Sequence, residues 1–199
     1  MPRYDAEWIQ SMLRPELRGS PPAEDILAAI GLKGGQIVAD IGCGPGFLTI
    51  PAATLVGPTG RIYAVDLEPA MLDDVQRRAA AIGLTNLETR SPTDSTIPLA
   101  DASVDVTLCS LVLHDLDDQA GLVRDLARVT RSGGKIAIVE WVADASAPRK
   151  NRIPPSFVAD LLAVSGLVAG EAIPLPPMQY LIVAVNERRT PRSMEATNS

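Results

Sequence analysis

Three glycines occupy every second position of the stretch VADIGCGPGFLTI, directly after an apolar run that ends in an acid. At Gly42, Gly44 and Gly46 a ligand could approach the backbone closely, because any Cβ there would collide with it. Asp40 precedes the glycines, and Asp66 ends the next apolar run, 24 residues after Gly42. An acid in the place of Asp66 can accept hydrogen bonds from a ribose diol. The spacing predicts a nucleoside site, although glycines in such a turn can also serve tight packing alone.

The position after the third glycine indicates which nucleoside fits. A dinucleotide fingerprint reads G-x-G-x-x-G and would need glycine at position 47, where this chain has Phe47. Asp40 would repel a pyrophosphate, whereas its carboxylate can accept a hydrogen bond from an ammonium group. A nucleoside that carries an amino acid therefore fits better than one that carries phosphates, and S-adenosylmethionine is such a molecule. A nucleotide-dependent dehydrogenase is disfavoured by the same residue, Phe47.

Alternating strand and helix patterns must position these residues. Runs rich in Val, Ile and Leu predict strands at 36–41, 60–66, 86–89, 104–112, 134–142, 167–175 and 178–186. Helical spacing of apolar residues predicts helices at 23–35, 69–83, 122–129 and 156–166. Repeated strand–helix–strand units predict a doubly wound α/β fold, a parallel sheet with helices on both faces. In such a fold ligands bind beyond the carboxyl ends of the strands.

The 199 residues are most simply one domain, spanning 23–186. The segment 1–22 mixes apolar and charged side chains and is predicted to form a lid helix over the site or a dimer contact. A Pro-rich, charged stretch at 143–155 predicts a surface loop, and the polar tail at 187–199 is typical of disorder.

Composition narrows the classes of partner and location. A net charge of −6 provides no basic field for a nucleic-acid backbone, so nucleic acid is disfavoured as a partner. No leader-like start or membrane-length apolar run is present, and we expect a cytoplasmic protein. Two cysteines, Cys43 and Cys109, and a single histidine, His114, offer few ligands, so no metal site is expected.

Several quoted stretches also carry a family resemblance. They are VADIGCGPG (38–46), VDLEPAML (65–72), PTDSTIPLADASVDVTLCSLVLHDL (92–116), RVTRSGGKIAIVEW (128–141) and the closing helix with two strands. Together they resemble class I S-adenosylmethionine-dependent methyltransferases, in the small-molecule branch that includes ubiquinone/menaquinone-biosynthesis C-methyltransferases and arsenite methyltransferases. The resemblance implies a Rossmann-like, seven-stranded, mainly parallel sheet whose last strand is antiparallel and lies between the fifth and sixth.

The resemblance also implies roles around S-adenosylmethionine as cofactor. The methionine part would lie against the backbone of the glycine stretch, which comprises Gly42, Cys43, Gly44 and Gly46. Asp40 would hold its amino end, directly or through water. Asp66 would accept from both ribose hydroxyls, with Leu67 against the adenine face.

Further positions follow from the same alignment. The acid that recognises adenine falls at Thr93 or Asp94, with Asp94 preferred because a carboxylate can accept from the adenine amino group. Ser110 and Leu111 end the fourth strand beside the expected sulfonium. Asp105 begins that strand, far from its carboxyl end, and is interpreted as structural.

A catalytic base is needed only where the acceptor must lose a proton. His114 follows the fourth strand at the ligand edge, and an imidazole titrates near neutral pH. The alternative, which we favour slightly, is that His114 packs at the start of a helix. Glu140 and Trp141 end the fifth strand and either face the acceptor or terminate the sheet.

The sequence thus predicts an S-adenosylmethionine-dependent methyltransferase that acts on a small, apolar or aromatic acceptor, as a monomer or homodimer. Arsenite is disfavoured because two cysteines do not supply the thiolate set of arsenite methyltransferases; quinone-ring methylation remains open. The alternative function is a catalytically silent protein that binds S-adenosylmethionine and acts as a partner or regulator.

Overall fold

The computed structural model describes residues 6–92, 96–142 and 152–187. The helices are α1 (Ala6–Leu13), α2 (Pro15–Arg18), α3 (Ala23–Ile30), α4 (Thr49–Val56), α5 (Pro69–Ala81), α6 (Gln119–Val129) and α7 (Pro155–Val164). The strands are β1 (Ile37–Ile41), β2 (Arg61–Val65), β3 (Leu87–Arg90), β4 (Val104–Ser110), β5 (Thr130–Trp141), β6 (Val168–Ala169), β7 (Ile173–Leu175) and β8 (Gln179–Val185). The polar tail from residue 188 and the predicted loop over 143–151 lie outside the described residues.

The strands form one sheet in the order β3-β2-β1-β4-β5-β8-β6, with β7 also paired to β8. β1 to β5 are parallel, and β8 runs antiparallel beside β5. The doubly wound, mainly parallel fold is therefore confirmed. The strand count differs by one, because the apolar run 167–175 divides into β6 and β7, which both pair with β8.

Apolar side chains cover both faces of the sheet. β1 and β4 lie at its centre and are almost fully buried, as near-continuous apolar strands require. Alternate residues of the strands belong to two core clusters. One cluster includes residues of α6 and α7, and the other includes residues of α3 and α4. Two faces covered in this way leave the carboxyl ends of the strands as the open edge where a ligand can bind.

Two predicted boundaries need correction. The helix expected over 23–35 ends at Ile30, because Gly31 adopts a left-handed φ of 71° and its N–H caps the helix. The segment 130–133 separates the predicted helix over 122–129 from the predicted strand over 134–142. It lies instead within β5, where Thr130 pairs with Val104 and Lys135 with Val106, so that extra residues bulge out of the strand.

Asp105 connects three strands at the edge opposite the glycines. Its Oδ2 accepts a hydrogen bond from the backbone N–H of Ile37 at 2.7 Å, and its Oδ1 pairs with Arg131. It therefore joins the starts of β1 and β4 to β5, in keeping with a structural role.

We expect Asp105→Ala to lower the free energy of unfolding by about 1–3 kcal/mol, because a backbone donor loses its charged acceptor. Affinity for a ligand at the opposite edge should not change. Asp101→Ala is the matched control, since it removes an exposed partner of Arg128 and should cost about 0.5 kcal/mol or less. Urea unfolding of both variants measures the difference, and equal losses would contradict the assignment.

Candidate functional site

The glycine stretch turns at the carboxyl end of β1 and is fixed to β2. The backbone N–H groups of Gly42 and Cys43 both donate to the carbonyl of Val65. A Cβ added at Gly42 would lie 2.4 Å from a methyl of Val112, and one at Gly46 would lie 3.0 Å from a methyl of Val75. Tight packing thus accounts for these two glycines.

Gly44 differs from its two neighbours in the stretch. Its φ is 52°, and the nearest atom to an added Cβ is the flexible end of Met12, at 3.1 Å. The backbone of Gly44 is therefore covered only by the side chain of Met12, which can move aside and leave room there.

A cavity of about 330 Å³ opens beside this turn. It is lined by segments far apart in the sequence: α1, α2, the end of β1, the glycine stretch, the residues after β4 and the end of β5. The lining residues are Trp8, Ser11, Met12, Leu17, Arg18, Asp40, Gly42, Cys43, Phe47, Leu48, Ser110, Leu111, His114, Asp115 and Trp141. The N-terminal helices thus border the cavity; a lid and a dimer contact both stay predictions for this segment.

Asp40 is a buried carboxylate on the wall of the cavity. It is 2% exposed, and its Oδ2 accepts a hydrogen bond from the hydroxyl of Thr49 at 2.6 Å. Burial raises the pKa of Asp40 to about 6, against the hydrogen bond from Thr49 and the positive charge of Arg18, which both lower it. The site is therefore poised to receive a positive group.

Arg18, at the end of α2, faces the same cavity and was not identified from the sequence. Its Nη2 donates to the hydroxyl of Ser110 at 2.9 Å, and its guanidinium lies 4.6 Å from the centre of the Phe47 ring. Burial lowers the pKa of Arg18 to about 10, while Asp40 raises it. Its Nε is buried and has no hydrogen-bond partner among residues 6–92, 96–142 and 152–187. A cation with a donor to spare is suited to an anionic group.

Asp66 lies at the end of β2 and supports the glycine turn. Its Oδ2 accepts from the backbone N–H of Gly44 at 2.8 Å, and its Oδ1 accepts from that of Glu68 at 2.9 Å. Leu67 beside it is 69% exposed. Neither lines the cavity, so they form a separate, open shelf next to it. Thr93 and Asp94 lie outside the described residues.

The residues after β4 approach the cavity through a tight turn. Leu111 adopts a φ of 61°, and a 3-10 turn over Leu113–Asp115 follows. His114 in this turn has its Nδ1 2.8 Å from Oε2 of Glu140. Trp141, 8% exposed, lines the cavity as well as packing against the sheet. No pattern in the sequence indicates the pairing of His114 with Glu140, 26 positions away.

Both thiols are buried and held in the neutral form. Burial is the main cause that raises the pKa of Cys43 and of Cys109, with nearby carboxylates adding to it. Within 6–92, 96–142 and 152–187, no group of three His, Cys, Asp or Glu side chains is arranged to hold a metal ion.

Comparison with known proteins gives the family. A profile of the methyltransferase domain family matches residues 39–138, half of the chain. The chain belongs to this family. Its cofactor is S-adenosylmethionine, and the donor set agrees with that molecule, since a carboxylate and a guanidinium meet at the cavity and the open turn at Gly44 lies beside Asp66.

Among curated relatives, an arsenite methyltransferase of Halobacterium salinarum is 29% identical over 184 residues, covering 79% of this chain and 47% of the relative. A ubiquinone/menaquinone biosynthesis C-methyltransferase of Klebsiella pneumoniae is 31% identical over 112 residues, covering 56% and 45%. The chain thus spans about half the length of these curated relatives.

A solved structure has a closely similar fold over its whole length. It is a SAM-dependent methyltransferase from Aquifex aeolicus, 26% identical, with a TM-score of 0.77 over 92% of this chain and 98% of that one. Across the described parts of the chain, no helix has the length and apolar character needed to cross a bilayer.

The raised pKa of Asp40 predicts that Asp40→Asn stabilises the ligand-free protein. The group titrates at about 6 when folded and at 3.8 otherwise, so the stability it contributes is full below pH 3.8 and is lost as the pH rises through 6. At pH 7.5 the variant should therefore unfold with a free energy higher by up to about 3 kcal/mol, and the gain should vanish near pH 4. Urea unfolding at several pH values checks this; a gain that does not depend on pH would contradict it.

Gly44→Val tests the glycine turn. Both Gly44 and Gly83 have positive φ, but the space around Gly83 is open, with nothing within 4 Å of an added Cβ. Valine at either position should cost about 1–2 kcal/mol of stability from backbone strain. Calorimetry should find that Gly44→Val alone loses S-adenosylmethionine binding; normal binding by this variant would overturn the assignment of the turn.

Proposed function

We propose that this protein transfers a methyl group from S-adenosylmethionine to a small-molecule acceptor. One observation carries the proposal: Asp40, which is buried, and Arg18, which is partly exposed, have opposite charges and line one cavity at the carboxyl end of β1. The methionine half of the cofactor carries an ammonium and a carboxylate, which match these two side chains. Charge-assisted hydrogen bonds of this kind are stronger than neutral ones.

The rest of the cofactor fits the shelf beside the cavity. Asp66 already accepts two backbone N–H groups, but each carboxylate oxygen has a second lone pair for a ribose hydroxyl. Leu67 is exposed next to it and offers an apolar surface to adenine. Cys43 contributes its backbone along the methionine part, and Ser110 and Leu111 border the position of the sulfonium.

S-adenosylmethionine supplies an electrophilic methyl group on a positively charged sulfur. The chain has to exclude water, align the acceptor and, for a protonated acceptor, take up a proton. Trp8, Leu17 and Trp141 give the cavity apolar and aromatic walls, which favour an apolar or aromatic acceptor. His114 is the proposed proton acceptor, because it borders the same cavity.

The two buried cysteine thiols limit which acceptors fit this protein. Arsenite binds thiolates, yet both cysteines of this chain are buried and burial raises the pKa of each. An organic acceptor is therefore favoured over the metalloid, although the relative from Halobacterium salinarum is named for arsenite. A phenol or a quinone-like ring would match the aromatic walls.

Turnover tests the function directly. Purified protein is incubated with S-adenosylmethionine and a panel of phenols, quinones, amines and thiols, and formation of S-adenosylhomocysteine is measured. Acceptor-dependent product supports the proposal. Tight cofactor binding without product from any acceptor would favour a silent cofactor-binding protein instead.

Asp66→Ala should weaken S-adenosylmethionine binding roughly 10- to 100-fold, since hydrogen bonds to a charged acceptor contribute about 1.5–3 kcal/mol. Asp73→Ala is the matched control, because Asp73 is an exposed acid on the neighbouring helix α5. Calorimetry should give the control an unchanged dissociation constant. Equal affinities for the two variants would remove Asp66 from the site.

A further inference from the structure

Glu140 is a completely buried acid whose contacts lead to His114. It is 0% exposed near the end of β5, where its backbone pairs with Tyr180 of β8. Its Oε2 lies 2.8 Å from Nδ1 of His114, and its Oε1 accepts a hydrogen bond from the backbone N–H of the same residue at 3.4 Å. Both carboxylate oxygens thus face one residue of the turn after β4.

This contact determines where the imidazole carries its proton. An ionised carboxylate can only accept hydrogen bonds, so Nδ1 must be the protonated nitrogen. In the neutral ring the lone pair is then on Nε2, the nitrogen that does not contact Glu140. A base with a fixed tautomer and a fixed ring orientation is preorganised for proton uptake.

Charged groups from several elements surround the imidazole. Asp115 Oδ1 lies 3.6 Å from Nε2, but its side chain is 73% exposed and its charge is screened by solvent. Arg18 from α2 and Asp40 from β1 face the same cavity, and Asp117 and Arg152 line a second cavity that His114 also borders. Glu140 is the acid that is both buried and in direct contact with the ring, so its effect should be the largest.

The negative charge of Glu140 also affects the pKa of Tyr180. Burial raises the pKa of Tyr180, and the negative charge of Glu140 adds to the effect. The hydroxyl of Tyr180 instead donates to the carbonyl of Ile153 at 2.7 Å, so it does not compete for the carboxylate.

We propose that Glu140 is a positioning residue for methyl transfer, which holds His114 as the Nδ1–H tautomer and stabilises the imidazolium that forms when Nε2 takes up the proton of the acceptor. In the balanced step the acceptor atom bonds to the methyl carbon, the sulfur keeps the electrons of the broken bond, and the released proton goes to Nε2. The proposal rests on the proposed function, in which His114 is the base.

The pairing can be measured without any acceptor. A protein made without a histidine tag has one histidine, so the imidazole signals in ¹H–¹⁵N NMR belong to His114. We expect the Nδ1–H tautomer in the neutral wild type, and Glu140→Gln should lower the pKa of His114 by about one unit or more. Asp117→Asn, which removes an exposed acid of the second cavity, should shift it by about 0.2 or less.

Two results overturn the pairing: an Nε2–H tautomer in the wild type, or a shift in Glu140→Gln no larger than that in Asp117→Asn. If Glu140→Gln fails to fold, the tautomer of the wild type decides alone.

Kinetics test the positioning role. Glu140→Gln should lower kcat roughly 10- to 100-fold, keep the dissociation constant of S-adenosylmethionine within about twofold, and move the acid limb of kcat/KM to lower pH with the pKa of His114. An acid limb that stays in place would mean that Glu140 is only structural. A wild type without transfer activity would instead refute the proposed function, while the NMR measurement still decides the pairing.

Discussion

A single buried charge at the carboxyl end of β1 organises this site. Asp40 lies in the centre of the sheet, where ionising a carboxylate is costly unless positive or hydrogen-bonding groups surround it. The fold supplies Thr49 from α4 and Arg18 from α2, and the latter brings the N-terminal helices onto the cavity. A ligand with a positively charged group next to Asp40 would also stabilise its ionised carboxylate. The wall of the cavity and the attachment of the N-terminal segment thus both involve one carboxylate.

Patterns local in sequence predicted much of this structure. Apolar runs long enough for buried strands, separated by helical spacing, specify a parallel sheet, and a parallel sheet gathers its strand ends at one edge. Asp40 and the glycine stretch, and then Asp66, could be assigned to that edge because each lies at the end of a strand or directly after it. Bond geometry added a second role for Asp66, since its carboxylate also holds Gly44 in place.

What the sequence could not reveal depends on contacts between distant segments. Arg18 is one of several arginines in a short N-terminal stretch, and its burial becomes visible only when Ser110 and Phe47 are brought beside it. Glu140 lies near the end of β5 and His114 in the turn after the neighbouring strand β4, so their pairing follows from sheet register and turn shape. The run 167–175 likewise divides into two strands because β6 pairs with the end of β8 and β7 pairs with its start.

The contact between Gly42 and Val112 has a consequence for how such a domain can diversify. Because the glycine turn and the turn that carries His114 interlock without room for a methyl group, a change in the position of one turn should displace the other. The N-terminal helices supply Trp8, Met12 and Leu17 to the wall of the cavity. Exchange of this segment would therefore change the wall of the cavity while leaving the two interlocked turns in place.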